Sequence, residues 1–137
     1  MGAFSEGMAN GGPFRGTLVD AAGEGRPVCG IRLGMQMLLS GSEEADHVGQ
    51  GDAEGLDIVP GRNVRFHGDL RVPHMGWNEL AVRRDPPLVE GVDGEYAYFV
   101  HPYYAEPDDD AAVRTTTDAG GPSASTVLGE AGNAFGT

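Results

Sequence analysis

The chain has 137 residues, enough for one domain with its own hydrophobic core. Its formal net charge is −12, from 21 acidic residues against nine basic ones, and this excess of carboxylates argues against nucleic-acid or anionic-membrane binding. No apolar run approaches the ~18 residues of a membrane helix, and a single Cys cannot form an internal disulfide, so we expect a cytoplasmic protein.

All nine basic residues are Arg, and the chain contains no Lys. Acid-rich, lysine-free chains are typical of proteins that work in concentrated salt, where a dense carboxylate surface stays hydrated. A GC-rich genome also favours Arg codons over Lys codons. Codon bias does not explain 21 acidic residues, however, so the composition favours a salt-adapted protein.

The first 55 residues alternate between apolar and Gly-rich segments. Pro13 is expected to open a surface helix. The apolar positions Leu18, Val19 and Ala22 of that helix should face inward. The predicted elements of this part are a helix over residues 13–24, a buried strand over 26–31, a helix over 33–40 and an exposed acidic loop over 41–55.

The remainder is rich in short strands separated by turn signals such as Asp93-Gly94 and Gly120-Gly121-Pro122. The predicted strands are residues 62–66, 78–83, 96–101, 113–117, 125–128 and 133–135. No linker divides the chain, so we expect one domain over residues 1–137. A strand, turn and helix followed by several strands predict an α/β sheet with an antiparallel portion.

The segment Gly30-Ile-Arg-Leu-Gly34 joins the predicted buried strand to an apolar helix. Glycines two residues before and two residues after the central position are what a nucleophile elbow requires, because that turn is tight and its central residue is strained. The central residue is Arg32, whose guanidinium stays protonated and cannot attack a carbonyl. The pattern therefore leaves two histories open: an enzyme that lost its nucleophile, or a site that was never catalytic.

Other residues offer no obvious replacement for a nucleophile and base. Cys29 is expected to be a small buried residue of the strand rather than a reactive thiol. His101 lies in an apolar strand and should be structural, whereas His47 and His67 lie in polar turns without an identifiable partner. No group of residues has metal-ligand spacing, so we expect neither a metal nor a cofactor.

Several stretches together resemble one known family. "GRPVCGIRLGMQMLL" is similar to the nucleophile segment of class I glutamine amidotransferases, which usually reads Gly-Ile-Cys-Leu-Gly-x-Gln. "GSEEAD", "GLDIVPGRNVRF", "VPHMGWNEL" and "GEYAYFVHPYYAEP" narrow the resemblance to the glutaminase subunit of imidazole glycerol phosphate synthase, from histidine biosynthesis. The resemblance implies a three-layer α/β fold with a central mixed, largely parallel sheet.

The family resemblance also implies an activity and a partner. A Cys-His-Glu triad would hydrolyse L-glutamine, and the ammonia would pass to a cyclase subunit shaped as a (β/α)8 barrel. Position 32 would carry the attacking thiolate, although it is Arg32 here. The other implied roles are oxyanion binding by Gly2 and Leu33, substrate binding by Gln36 and Tyr103, and contact with the cyclase by His74, Trp77 and Asn78.

This sequence departs from the family pattern in four places. Position 32 is Arg rather than Cys, and Pro102 stands where the family has Ser or Thr. The chain begins at the oxyanion strand, without the first β-α unit. It stops at Thr137, and the catalytic His and Glu of the family are expected only beyond that residue. We therefore expect the chain as written to be inactive. It could instead be a non-catalytic scaffold or regulatory subunit that docks on the cyclase, or a defective gene fragment.

Overall fold

The computed structural model describes residues 3–44, 52–67, 72–84, 89–118, 123–130 and 134–136. Side chains are described up to residue 118, and beyond it the backbone pairing of two strands is defined. The helices are α1 (Ala3–Gly23) and α2 (Leu33–Leu38), and the strands are β1 (Val28–Gly30), β2 (Leu39–Ser42), β3 (Ala53–Glu54), β4 (Val59–Arg65), β5 (His74–Glu79), β6 (Ala81–Val82), β7 (Tyr96–His101), β8 (Tyr103–Pro107), β9 (Val113–Asp118), β10 (Ser123–Glu130) and β11 (Ala134–Gly136).

Nine of these strands form one mixed sheet, in which the order β1-β11-β10-β8-β4-β2-β3 makes the main path. Strand β9 joins this path beside β10, and β6 pairs with β9. Strands β5 and β7 form a separate two-stranded antiparallel ribbon. The expected α/β fold with a mixed sheet is thus confirmed.

Parallel pairing is less common than expected among the described strands. Two pairs are parallel, β1 with β11 and β2 with β4. The remaining pairs, including β4 with β8 and β10 with β9, are antiparallel. The connections between consecutive strands explain why most pairs are antiparallel. A parallel neighbour requires a long crossover, whereas most strands after Val59 are joined by short turns.

Helix α1 begins ten residues earlier than predicted, and Pro13 lies inside it rather than at its start. The prediction missed the carboxylate of Glu44, which is distant in sequence from the start of the helix. The backbone N–H groups of Ala3 and Phe4 donate to Oε1 and Oε2 of Glu44, at 2.9 and 2.8 Å. These bonds satisfy two of the donors that a helix start leaves without partners. The inward position predicted for Val19 is also wrong, because that side chain is exposed.

The predicted acidic loop over residues 41–55 is partly wrong as well. Strand β2 continues directly from α2 and runs parallel to β4, so Ser42 is buried within the sheet. Strand β3 then pairs with β2. Residues 45–51 lie outside the described part of the chain. The acidic and Gly-rich composition concealed two short strands because neither has a run of apolar residues.

Most of the remaining strands lie where they were predicted, several with shifted bounds. Strand β7 has the predicted bounds, 96–101. The predicted strand over 78–83 is divided, because β5 pairs with β7 while β6 pairs with β9. Strand β8 was not predicted. Pro102 lacks an N–H group, yet its carbonyl accepts from the Phe66 N–H at 3.1 Å, and pairing with β4 resumes at Tyr103.

The hydrophobic core lies between α2 and the sheet. Its buried members are Met35, Leu38, Leu39, Leu56, Val59, Ala105, Ala112 and Val113. Helix α1 packs on the same cluster through Met8 and Leu18. This packing fixes α2, and with it the turn that precedes α2, against the central strands.

Candidate functional site

The turn between β1 and α2 has the geometry of a nucleophile elbow. Its central residue, Arg32, has φ 56° and ψ −115°, in a region that residues with a β-carbon seldom occupy. Leu33 starts α2 immediately after it. The amide N–H of Gln36 donates to the Arg32 carbonyl at 3.2 Å and begins the helical bonding. The strained turn predicted from the glycine spacing is therefore present.

The two glycines that flank Arg32 contribute differently. A β-carbon on Gly30 would lie 2.5 Å from the carbonyl carbon and oxygen of Gly34 and 2.7 Å from the amide nitrogen of Met35. A β-carbon on Gly34 would meet nothing within 4 Å outside its own helix. Gly30 therefore allows strand and helix to approach closely, and the close approach needs glycine at position 30 but not at position 34.

The Arg32 side chain is exposed at the apex of this turn. Among the described residues, its guanidinium makes no hydrogen bond or ion pair. A helix start favours negative charge, because its free N–H groups form the positive end of the helix dipole. A cation therefore occupies the place where a nucleophile elbow presents a thiolate or alkoxide.

The expectation that Cys29 is buried is wrong, since its side chain is exposed. Strand β1 is at the end of the described sheet order, so one of its long edges has no described neighbour. Side chains alternate along a strand, and the face that carries Cys29 is opposite to the one that carries the buried Gly30. Cys29 lies three residues before the apex and does not replace the missing nucleophile.

The implied substrate residues Gln36 and Tyr103 lie on elements that both contact β4. Asn63 of β4 is fully buried, and its Nδ2 donates to the Gln36 carbonyl at 3.0 Å and to the Gly41 carbonyl at 3.2 Å. Asn63 also pairs with Ala105 of β8, two residues after Tyr103. Through Asn63 the sheet joins the helix of Gln36 to the strand of Tyr103. Asn63 was not identified from the sequence, because a polar residue within a strand gives no local sign of burial.

Of the two residues implied in oxyanion binding, one can be placed. Leu33 is the first residue of α2, half-buried against Gly7 of α1. Gly2 lies outside the described residues. Glu44 holds the segment that directly follows Gly2, because its carboxylate accepts from the N–H groups of Ala3 and Phe4. This link across forty residues of sequence was also missed.

His101, for which a structural role was predicted, lies two residues before Tyr103 and contacts it. Its Nδ1 lies 2.7 Å from the Tyr103 carbonyl oxygen. Because a carbonyl oxygen only accepts, Nδ1 carries the proton. Burial lowers the pKa of His101 below its ordinary value of 6.5; the bond to Tyr103 opposes this shift, and nearby His74 adds to it.

The other two histidines were assigned to polar turns without partners. His67 is exposed, and its Nε2 lies 3.6 Å from Oε2 of Glu43, so it has an acidic neighbour after all. No local pattern indicates this pair, because strand pairing and not sequence spacing brings the two residues together. His47 lies outside the described residues.

The three residues implied in partner contact lie on different sides of the β5–β7 ribbon, Trp77 on one side and His74 and Asn78 on the other. Along both strands, alternate side chains face outward. Trp77 is 68% exposed and contacts Tyr98, which is 53% exposed, with ring centroids 5.5 Å apart. We call the outward side the ribbon face. Its exposed large side chains are Met75, Trp77, Tyr96, Tyr98 and Val100.

His74 and Asn78 lie on the inner side of the ribbon instead. His74 Nε2 and Asn78 Oδ1 are 2.8 Å apart, and Asn78 Nδ2 donates to the Asp118 carbonyl at 2.6 Å. Because the second bond fixes the amide orientation, His74 Nε2 is the donor in the first. These two side chains therefore attach the ribbon to β9 and can support the ribbon face from behind.

The described ranges contain neither a metal cluster nor a membrane-spanning helix. Within them, no group of three or more His, Cys, Asp or Glu side chains is arranged to hold a metal ion. No helix in that part of the chain is long and apolar enough to cross a membrane.

Comparison with known proteins decides the family. No family model matches the chain. Over all 137 residues it is 69% identical to the imidazole glycerol phosphate synthase subunit HisH of Halobacterium salinarum and 68% identical to that of Natronomonas pharaonis. The chain belongs to this family. It is also 47% identical, over 116 residues or 85% of its length, to the HisH subunit of Methanothermobacter thermautotrophicus, of which it covers 56%.

The chain spans only part of these HisH proteins, 63% and 64% of the lengths of the first two. The His and Glu of the implied triad are expected beyond Thr137, and Thr137 itself lies outside the described residues. The relatives are longer than the portion that this chain covers. The position at which this sequence ends therefore says nothing about whether the protein has the catalytic His and Glu. The case for inactivity therefore rests on Arg32 alone.

The HisH relatives also bear on the composition. A third one, from Haloarcula marismortui, is 61% identical, so three HisH proteins at 61–69% identity come from haloarchaea. The salt-adapted composition inferred from the sequence agrees with these relatives.

Proposed function

We propose that this HisH-family chain carries the elbow, part of the glutamine site and the cyclase-docking surface of a cytoplasmic imidazole glycerol phosphate synthase. We further propose that Arg32 prevents it from hydrolysing glutamine. The family reaction is glutamine hydrolysis, which supplies ammonia to the cyclase for histidine biosynthesis. The observation that carries the proposal is the turn at Arg32, which keeps the backbone of a nucleophile elbow around a side chain that cannot attack.

The chemistry of the proposed loss is straightforward. Amide hydrolysis by covalent catalysis needs a nucleophile that a neighbouring base can deprotonate. The guanidinium of Arg stays protonated at ordinary pH and has no lone pair to offer. Its positive charge would also meet a carbonyl carbon that carries a partial positive charge. The side chain at position 32 therefore cannot start the reaction, whatever base is nearby.

The ribbon face supports the docking part of the proposal. Interfaces have apolar cores enriched in Trp, Tyr and Met, and residues of all three kinds are exposed together there. Trp77 and Tyr98 are already in mutual contact, so little side-chain freedom would be lost on binding. We propose that the cyclase barrel binds this face, with His74 and Asn78 holding the ribbon in place behind it.

The test is reconstitution with the cyclase subunit. Sedimentation velocity would measure complex formation, and a coupled assay would measure glutamate released from L-glutamine. We expect a one-to-one complex without glutamate release from the unmodified chain. Glutamate release would disprove the assigned role of Arg32. Absence of a complex, for a chain whose circular dichroism shows it to be folded, would disprove the docking role and favour a defective gene product.

The matched control is a HisH protein with Cys at the corresponding position, mixed with the same cyclase preparation. That control should bind the cyclase and release glutamate. Its success would show that the cyclase and the assay are competent, so a negative result with this chain could be attributed to the chain itself.

A further inference from the structure

The peptide that joins β7 to β8 is held by a side-chain hydrogen bond in addition to backbone bonding. Pro102 between the two strands has no N–H to donate, and its carbonyl is already used by the Phe66 N–H. The His101 side chain reaches over this residue, and its Nδ1–H donates to the Tyr103 carbonyl at 2.7 Å. The bond closes a short ring around Pro102 and restrains the Tyr103 peptide.

The orientation of that peptide follows from the strand pairing. Pro102 and Phe66 are joined by a backbone hydrogen bond, and hydrogen-bonded positions alternate with non-bonded ones along an antiparallel pair. The next pair is Tyr103 with Arg65, so the Tyr103 peptide groups point away from β4. Consistent with this, the Arg65 N–H donates to Oε2 of Glu43 rather than to β8.

The His101 ring itself has little freedom to move. The rings of Phe66, Phe99 and His74 surround it, with centroids 5.3, 5.7 and 5.6 Å away. Its Nε2 is buried and, within the described part of the chain, has no hydrogen-bond partner. A ring packed in this way presents Nδ1–H in one direction. Since burial lowers the pKa of His101, the ring is neutral near pH 7.

We propose that His101 is a positioning residue for substrate, which holds the Tyr103 peptide in the orientation that receives the amino-acid end of glutamine. The inference rests on the proposed function, because the glutamine site proposed there is taken to include Tyr103, whose backbone lines the amino-acid end of the substrate in the family that this chain resembles. It adds a residue that touches no substrate and acts through one backbone carbonyl. Pro102 leaves this turn with one backbone donor fewer than Ser or Thr would, and the His101 bond adds a restraint on the Tyr103 peptide.

The experiment measures L-glutamine binding by isothermal titration calorimetry with the whole chain at about pH 7.5. His101→Phe keeps an aromatic ring but removes the donor. His101→Asn places an amide N–H near the position of Nδ1. We expect His101→Phe to weaken binding about tenfold, as for the loss of one well-placed hydrogen bond, and His101→Asn to restore most of the affinity. Phe99→Leu is the matched control, because it alters the same ring cluster and leaves the Nδ1–H bond intact.

The possible results separate this inference from the proposed function. If the unmodified chain binds glutamine and His101→Phe binds it equally well, the positioning role is wrong and the glutamine site stands. If the unmodified chain binds no glutamine, the glutamine site itself is wrong and the positioning role is wrong with it. Equal losses in His101→Phe, His101→Asn and Phe99→Leu would show that packing, and not the donor, matters.

A spectroscopic measurement on the unmodified chain gives an answer even where a variant fails to fold. Nuclear magnetic resonance of the ¹⁵N-labelled chain should show His101 protonated at Nδ1 and unprotonated at Nε2. Addition of glutamine should shift the Nδ1 proton, because the Tyr103 carbonyl it binds belongs to the peptide that meets the ligand. An unchanged Nδ1 signal under glutamine saturation would overturn the inference.

Discussion

A β-carbon on Gly30 would lie 2.5 Å from the carbonyl oxygen of Gly34, well inside any allowed contact. The elbow can therefore form only if the residue two positions before Arg32 has no side chain. Because Gly34 has no such restriction, the two positions form a matched pair for testing whether the turn exists in solution.

We expect Gly30→Ala to lower the free energy of unfolding by about 1–3 kcal/mol, the usual cost of forcing a methyl group into a packed site. Gly34→Ala should leave stability unchanged or raise it by about 0.5–1 kcal/mol, because Ala favours a helix more than Gly does. Urea unfolding of both variants measures the difference. Equal effects at the two positions would mean that strand and helix do not meet as described.

The elbow was predictable from sequence because its determinants are local. Gly30, Arg32 and Gly34 lie within five residues, and strand, turn and helix follow one another along the chain. The start of α1 was not predictable in this way. Glu44 satisfies its first N–H groups from forty residues away, and no local pattern near Ala3 indicates such a partner.

Burial was less predictable than element type, because it depends on which neighbours a strand acquires. Cys29 looked buried from its apolar surroundings but lies in the strand that ends the described sheet order. The residues of "PHMGWN" give no local sign of which side each one takes, whereas the strand places Trp77 outside and Asn78 inside. The packing of the ribbon against β9, where Asn78 donates to the Asp118 carbonyl, decides which side faces the rest of the molecule.

The ribbon face gives a prediction about partner binding. Trp77→Ala should weaken binding to the cyclase by more than ~1 kcal/mol, as for a central aromatic residue of an interface. Because Trp77 is 68% exposed, the variant should keep its fold. Titration calorimetry measures the first effect and circular dichroism the second.

Phe14→Ala serves as the control for this substitution. Phe14 is 65% exposed, so it resembles Trp77 in exposure, but it lies on α1 instead of the ribbon. We expect it to bind the cyclase with unchanged affinity. Unchanged binding by Trp77→Ala, or equal losses in both variants, would place the interface elsewhere.

The partial burial of His101 gives a prediction about pH. Its pKa is lower in the folded chain than the ordinary value of 6.5, mainly through burial, so the unfolded chain binds more protons near pH 6. This contribution to stability is complete above about pH 6.5 and is lost as pH falls toward the folded-state pKa. His101→Asn does not titrate and should lose less stability than the unmodified chain between about pH 8 and pH 5.

The comparison requires a control for the other titrating groups. His67→Gln removes an exposed histidine that lies near Glu43. His74, whose ring lies beside that of His101, stays in every variant. Urea unfolding at both pH values gives the difference for each protein. The assignment fails if His67→Gln reduces the pH dependence as much as His101→Asn does.

The composition predicts a dependence on salt. At a net charge of −12 the folded chain repels itself, and the screening length falls from ~10 Å at 0.1 M salt to ~3 Å at 1 M. We expect secondary structure by circular dichroism to increase between about 0.1 and 2 M KCl. Potassium sulfate at matched ionic strength would separate screening from specific ion effects. Equal structure at both KCl concentrations would contradict the salt-adapted interpretation.

The central claim is that position 32 is the apex of a nucleophile elbow whose nucleophile has been replaced. The direct measurement is the iodoacetamide alkylation rate of Arg32→Cys in a Cys29→Ser background, compared with Cys29 in the unmodified chain. A helix start lowers a cysteine pKa and exposes the thiolate, so Cys at position 32 should react faster than the exposed Cys29 at the same pH. A rate equal to or below that of Cys29 would contradict the claim, because it would show that the backbone at position 32 does not activate a thiol.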